Sequence, residues 1–447
     1  MIKPTNMLSY PVRIALIAAL GGFLFGFETA VISGAEKTIQ SLWSLSPVWQ
    51  GLTVASSLIG TVIGSMIAGI PAQRFGRKKV LMFVAIMYLL SAIGCASSSL
   101  WLLFISFRFI GGIAVGASSV VGPMYIAEIS PARLRGRLVG SFQLNIVIGI
   151  FLAYLSNYFL LISIGSDSWR WMLGIMALPA AMFWILVRQI PESPRWLVLN
   201  NRDEEAKAIL AKIGEPNVNA EIAEIHALAH EGTHEKLFSR KFRKPIAFAM
   251  LLAMFNQLAG INALIYYAPR IFEAAGISKD SAFLQAVSIG ATNLVFTIIA
   301  MRLIDRFGRK TLLLVGSVGM IVFLALAAFS FGSSNAGGYS YSLMFYLIGF
   351  IAFFAFSQGA VIWVFISEIF PNSVRSKGQS LGSTTHWVMA AAISWTFPIV
   401  AEIHDGSKIA FLFFSAMMLL HLLFVWRWLP ETKGRSLETI QKELGIT

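Results

Sequence analysis

Twelve apolar stretches, each long enough to cross a bilayer, constrain this chain more than anything else in its sequence. They run at about 12–34, 51–72, 80–98, 101–127, 138–163, 169–190, 245–269, 281–304, 311–331, 341–366, 378–401 and 407–429. A membrane-crossing helix needs about 20 mainly apolar residues, because only a helix satisfies its own backbone hydrogen bonds in hydrocarbon. All twelve are rich in Gly, Ala and Ser, the residues that let membrane helices pack closely. The first is too long for a signal-peptide core and further spans follow it, so it reads as retained. Composition closes the alternatives. Of 447 residues, 57% are hydrophobic and 13% charged, whereas soluble domains carry about 25% charged residues. Disordered, collagen-like and soluble-enzyme classes are excluded. The single cysteine, Cys95, excludes an intramolecular disulfide.

The formal charge of +13 does not point to nucleic acid. Sorted by the ends of the twelve spans, 29 Lys and Arg residues fall on one side and five on the other (Lys37, Arg170, Arg270, Lys279 and Lys408). Arg108 remains inside a span. Basic loops stay in the cytoplasm, so both termini and the long loop at 191–244 are expected there, in a multi-pass membrane protein. That loop contains Asp203-Glu204-Glu205-Ala206-Lys207-Ala208-Ile209-Leu210, a pattern of amphipathic helices lying beneath the membrane.

The sequence also repeats. Arg74-Phe75-Gly76-Arg77-Lys78 recurs as Arg306-Phe307-Gly308-Arg309-Lys310 at an offset of 232. Glu128 and Arg135 recur as Glu368 and Arg375 at an offset of 240, and Pro191-Glu192-Ser193 as Pro430-Glu431-Thr432 at 239. The expected fold is all-α and membrane-integral, with two six-helix repeats: 1–190, a cytoplasmic helical linker 191–244, a second bundle 245–429, and a tail 430–447. Parallel repeats around a midplane site are the architecture of rocking secondary transporters. Arg74, Arg77, Glu128, Arg135, Glu192, Asp305, Arg306, Arg309, Glu368, Arg375 and Glu431 read in two ways. They either anchor the loops or form ion pairs between helix ends that close the cytoplasmic side.

Several motifs resemble the sugar porters of the major facilitator superfamily. They are Gly-Gly-Phe-Leu-Phe-Gly-Phe-Glu-Thr-Ala-Val-Ile-Ser-Gly (21–34), Pro-Glu-Ser-Pro-Arg-Trp-Leu (191–197), Asn-Gln-Leu-Ala-Gly-Ile-Asn-Ala-Leu-Ile-Tyr-Tyr (256–267) and Pro-Glu-Thr-Lys-Gly-Arg (430–435), together with the paired Arg-Phe-Gly-Arg-Lys loops. The resemblance runs the whole length of the chain. Bacterial proton-coupled pentose and hexose symporters are nearer in pattern than facilitative glucose transporters. It implies alternating-access transport of a monosaccharide without a cofactor, by a monomer, with proton, sugar and lipid as partners and no nucleic acid.

Glu28 is the one acid deep in a span and Arg108 the one base so placed. Each needs a partner or a wet cavity, so pairing is the economical expectation. Such a pair is either structural or a proton site, since burial disfavours a carboxylate and a neighbouring guanidinium favours it. The resemblance implies the second reading: the proton symporters carry Asp at the position of Glu28 and Arg at that of Arg108, whereas the facilitators carry Asn at the acidic position.

A neutral sugar calls for amides and aromatic faces rather than charge. Gln143, Asn256, Gln257, Asn262, Asn293, Trp363 and Trp387 supply such a set, and a lone membrane amide is otherwise interhelical packing glue. The resemblance implies sugar contact for Gln143, Gln257, Asn262, Asn293 and Trp363, with Asn256 replacing a Gln and Phe25 and Trp387 as aromatic walls. It implies outer gating by Tyr266 and Tyr267, Tyr267 also bordering the sugar, and a gating bend near Gly359. His386 stands where relatives have Gln or Asn, Ala355 where many have Glu, Ala390 where the facilitators have Asn, and Ala360 where a Pro precedes the Trp.

His230-Glu231-Gly232-Thr233-His234, with His226 one turn earlier, has the spacing of a zinc site. Gly232 weakens the helix it would need, and no metal is expected. Competing functions are a proton-independent facilitator, and a non-transporting sensor, expected to carry a long cytoplasmic tail where 18 residues follow the last span here. No nucleotide-binding loop is visible, so transport would draw on gradients.

Overall fold

The computed structural model describes residues 9–131, 133–230, 235–331, 341–371, 373–435, 437–444 and 446. Every regular element among them is helical. Eleven helical segments are long and apolar enough to cross a membrane, from Tyr10–Gly34 to Gly406–Trp428. The remaining expected span is one continuous helix, Arg375–Ala401. It has the length but not the apolarity, because Arg375, Lys377, Gln379, Ser380, Ser383, Thr384, Thr385 and His386 crowd its first half. A helix surrounded by other helices can keep polar faces that a lipid-facing one cannot.

The chain forms two compact units. One holds the described residues of Met1–Glu28, Gly60–Gly149 and Gly174–His234; the other holds those of Thr29–Ile59, Ile150–Leu173 and Glu235–Thr447.

In the first unit the glycines explain how the helices meet. A Cβ at Gly26 would overlap the Ile146 carbonyl, and one at Gly64 or Gly116 would overlap the backbone of Ile113 or Thr61. Spans one and five, and two and four, therefore pack backbone against backbone. The linker contributes three helices, Pro194–Leu199, Asp203–Ile213 and Val218–His230. Ser193 caps the first by accepting from the Trp196 N–H, and Gly214 ends the second in the left-handed conformation. Their apolar faces enclose Trp196, Leu197, Leu210, Ile213, Ile222 and Ile225.

In the second unit two spans are broken. Span seven divides into Arg243–Leu258 and Ile261–Ala274 at Gly260, whose φ of +82° suits only glycine, and it kinks again at Tyr267 ahead of Pro269. Span ten divides into Tyr341–Phe356 and Gln358–Glu368 at Ser357 (φ −112°, ψ −92°). The bend expected near Gly359 is centred two residues earlier.

Candidate functional site

Within the first unit, Arg108 Nη1 donates to Glu28 Oε1 at 2.5 Å, with side chains only 1% and 5% exposed. Gly111, one turn beyond Arg108 on the same helix, makes room for the carboxylate. A Cβ there would overlap Ser91 Oγ and lie 3.1 Å from Glu28 Oε1. Arg108 Nε and Nη2 have no hydrogen-bond partner among the described residues. The pair is thus an ion pair buried inside the first unit, with Arg108 meeting Glu28 through Nη1. Phe25 and Gln143 are half-buried in this unit.

The repeated sequence motifs fold into one device, built twice. In the first unit Arg77 grips Glu128 with two bonds of 2.9 Å, and Glu192 Oε1 accepts from the backbone N–H groups of Arg77 (2.9 Å) and Lys78 (3.1 Å). Ser193 Oγ donates to Glu128 at 2.5 Å. In the second unit Arg309 grips Glu368 at 3.2 and 2.8 Å, Glu431 accepts from the N–H groups of Arg309 (2.9 Å) and Lys310 (3.0 Å), and Thr432 Oγ1 donates to Glu368 at 2.5 Å. Each set closes within its own repeat. Burial alone would raise the carboxyl pKa of Glu431, but the backbone donors of Lys433, Arg309, Lys310 and Thr432 outweigh it and hold it below the usual carboxylate value. Arg74 and Arg306 stack on Phe75 and Phe307, Arg375 Nε donates to the Phe370 carbonyl, and Arg135 is exposed. The side chain of Asp305 lies outside those described.

The second unit gathers most of the expected sugar set. Gln257 Nε2 lies 3.1 Å from Asn256 Oδ1 and 3.0 Å from His386 Nε2. The His386 ring sits 4.9 Å from that of Trp363 and edge-on to Trp387 at 4.8 Å. Gln257 Oε1 is buried without a partner among the described residues. Asn262 and Asn293 are buried; Tyr266 is buried beside Tyr267, whose hydroxyl donates to the Ser394 carbonyl at 3.0 Å. Amides and indole faces, with no formal charge among them, suit a neutral polyhydroxyl ligand.

Two clusters in this unit escaped the sequence reading. On the charge-poor side, Arg270 Nε lies 3.0 Å from Glu36 Oε1, and Gln50 Nε2 donates to Glu36 Oε2 at 2.7 Å. Lys37 pairs with Glu273, and Trp395 Nε1 donates to the Val48 carbonyl at 3.0 Å. Tyr154 likewise donates to the Ile265 carbonyl at 2.6 Å. First-half segments are thereby laced to spans seven and eleven. The other cluster joins Gln358, His421 and Ser317. A polar residue between spans, or a lone His in one, carries no periodic signal that announces its partner.

Of the histidine triplet, His226 Nε2 lies 3.1 Å from Asp203 Oδ2; the His230 side chain and His234 lie outside the described residues. No group of three metal-binding side chains occurs among those described.

Residues 14–444 match the family described as "Sugar (and other) transporter". The chain belongs to that family. It is a multi-pass membrane transporter, not an enzyme. The D-xylose-proton symporter of Escherichia coli is 37% identical over 97% of this chain and 95% of its own length. The arabinose-proton symporter of Bacillus subtilis is 36% identical over 99% and 96%. Among solved structures, the inward open conformation of the E. coli xylose transporter XylE superimposes with a TM-score of 0.86 at 34% identity, covering 97% of this chain and 100% of that one. The proton:xylose symporter XylE bound to 6-bromo-6-deoxy-D-glucose gives 0.80 at 35% identity, covering 98% and 99%. This family member therefore has the all-α major facilitator fold, and it shares the fold with a solved xylose transporter.

Proposed function

We propose that this chain is a secondary active transporter that moves a pentose or hexose across a bacterial inner membrane together with a proton. The Glu28–Arg108 pair carries this reading. A carboxylate and a guanidinium in the hydrocarbon layer cost several kcal/mol each unless paired (about 2.5–3.5 on insertion scales), and a proton on Glu28 would remove the negative charge that balances Arg108. Asn256, Gln257, Asn262, Asn293, Trp363, His386 and Trp387 would hold the sugar, and the named substrates of the relatives support that class. Both termini would face the cytoplasm, as the excess of basic loops there requires.

The test is uptake by proteoliposomes across a panel of xylose, arabinose, glucose and galactose, with and without a proton gradient. Accumulation above equilibrium in wild type, and exchange without accumulation in Glu28→Gln, are expected. Undiminished uphill uptake by Glu28→Gln overturns proton coupling at this residue and leaves the facilitator reading.

A further inference from the structure

His421 is completely buried near the middle of span twelve, and nothing in the transport reading so far uses it. Its Nδ1 lies 2.8 Å from Ser317 Oγ of span nine and 3.2 Å from the side-chain amide of Gln358 in span ten. With Ser317 Oγ donating to the Leu313 carbonyl at 2.6 Å, its proton is not needed at the imidazole, and a proton on Nε2 leaves Nδ1 to accept from the Gln358 amide, which also meets Met418 Sδ at 3.2 Å. Three spans therefore converge on one imidazole.

Gln358 is the residue directly after the break at Ser357. On its backbone side, the Gln358 carbonyl faces Asn256 Nδ2 at 3.5 Å. Five residues further along the same short helix stands Trp363, against the His386 ring. The break is also wedged against span nine, since a Cβ at Gly316 would overlap Ser357 Oγ. A helix break leaves local backbone groups without their usual partners, so the angle it adopts is set by what grips it from outside. Beside that steric wedge the grip is polar: His421 on one flank of Gln358, Asn256 on the other.

We infer that His421 is a positioning residue for the sugar site: through Gln358 it fixes the bend of span ten and so places Asn256 and Trp363. This rests on the sugar reading above. A purely structural role would be neutral once the polar groups are removed together, because replacing both partners of a buried hydrogen bond by apolar side chains of similar size costs little stability. Positioning would still be lost.

The experiment compares His421→Leu, His421→Asn and the double variant His421→Leu/Gln358→Leu with wild type. It measures thermal stability, sugar dissociation constants across the same panel, and hydrogen exchange of the backbone at 354–361. His421→Leu is expected to bind sugar about ten-fold more weakly, the loss of about one oriented hydrogen bond, with faster exchange at the bend. His421→Asn restores an amide near the position of Nδ1 and should recover both properties. The double variant should match wild type in stability and still bind weakly. Unchanged exchange at the bend in His421→Leu, or full sugar affinity in a stable double variant, overturns the proposal. Absence of sugar binding by wild type, with exchange at the bend still responding to His421, instead overturns the sugar reading and leaves the grip on the bend in place.

Discussion

Glu36 and Arg270 form a buried ion pair between the segment after span one and the second half of span seven, with Glu36 Oε1 and Arg270 Nε 3.0 Å apart. The Glu36 side chain is 1% exposed. Removing one partner of such a pair costs about 3–5 kcal/mol, because the other charge is left buried alone. Arg270→Met should therefore loosen the charge-poor side, read as faster hydrogen exchange over 32–42. Adding Glu36→Gln removes the orphaned charge and should restore most of the protection. A double variant no slower to exchange than Arg270→Met would mean that the orphaned Glu36 charge is not what loosens this segment.

Gly111 bears on the proposed proton site. Gly111→Ala should displace Ser91 and disturb the Glu28–Arg108 contact, at a stability cost of about 1–3 kcal/mol from overpacking. Proteoliposomes carrying it should exchange sugar but accumulate it poorly. Adding Ser91→Ala, which removes the overlapping hydroxyl, should recover accumulation.

The close approach of spans one and five makes a stability prediction. Gly26→Ala would force the Ile146 backbone away, and it should lower stability by at least about 2 kcal/mol. At Gly136 an added Cβ meets nothing within 4 Å, so Gly136→Ala should melt within a degree or two of wild type, consistent with an ordinary surface change of about 0.5 kcal/mol or less. Equal melting temperatures for the two variants would sink the packing argument.

The lowered pKa of Glu431 gives a pH dependence with a definite sign. A depressed carboxyl contributes stability that is fully present above its unfolded value, about 4.3, and that is lost as pH falls through the lower folded value. The stability difference between wild type and Glu431→Gln should therefore be constant from neutral pH down to about 5 and shrink below about 4. Thermal unfolding in detergent at several pH values measures it; a difference that grows on acidification contradicts the donor geometry at Arg309 and Lys310.

Much of this was legible because hydrocarbon is an unforgiving solvent. A span must be apolar for about 20 residues, so eleven of the twelve could be counted by apolarity alone, and Arg375–Ala401 by position and pattern despite its polar first half. The repeated Arg-Phe-Gly-Arg-Lys and Pro-Glu motifs announced themselves by spacing, and the structure shows why both are needed: Glu192 and Glu431 each accept from the backbone of the paired basic turn. Resemblance puts the bend of span ten near Gly359, and it falls at Ser357, which packs against Gly316 and precedes Gln358. Glu36 carries no signal of its partner in the sequence, because Arg270 lies 234 residues further along the chain.

By itself, then, the sequence determined the spans and the isolation of Glu28 and Arg108 as intramembrane charges, which follow from transfer energies counted along the chain, and the duplication, which follows from motifs recurring at nearly one offset. Only the tertiary structure decided that Arg108 meets Glu28 through one nitrogen, that Glu36 is satisfied by a residue of the other repeat, and that His421 meets Gln358. Those are contacts between residues far apart in the chain, set by how close the glycine-lined backbones come and by where the helices break.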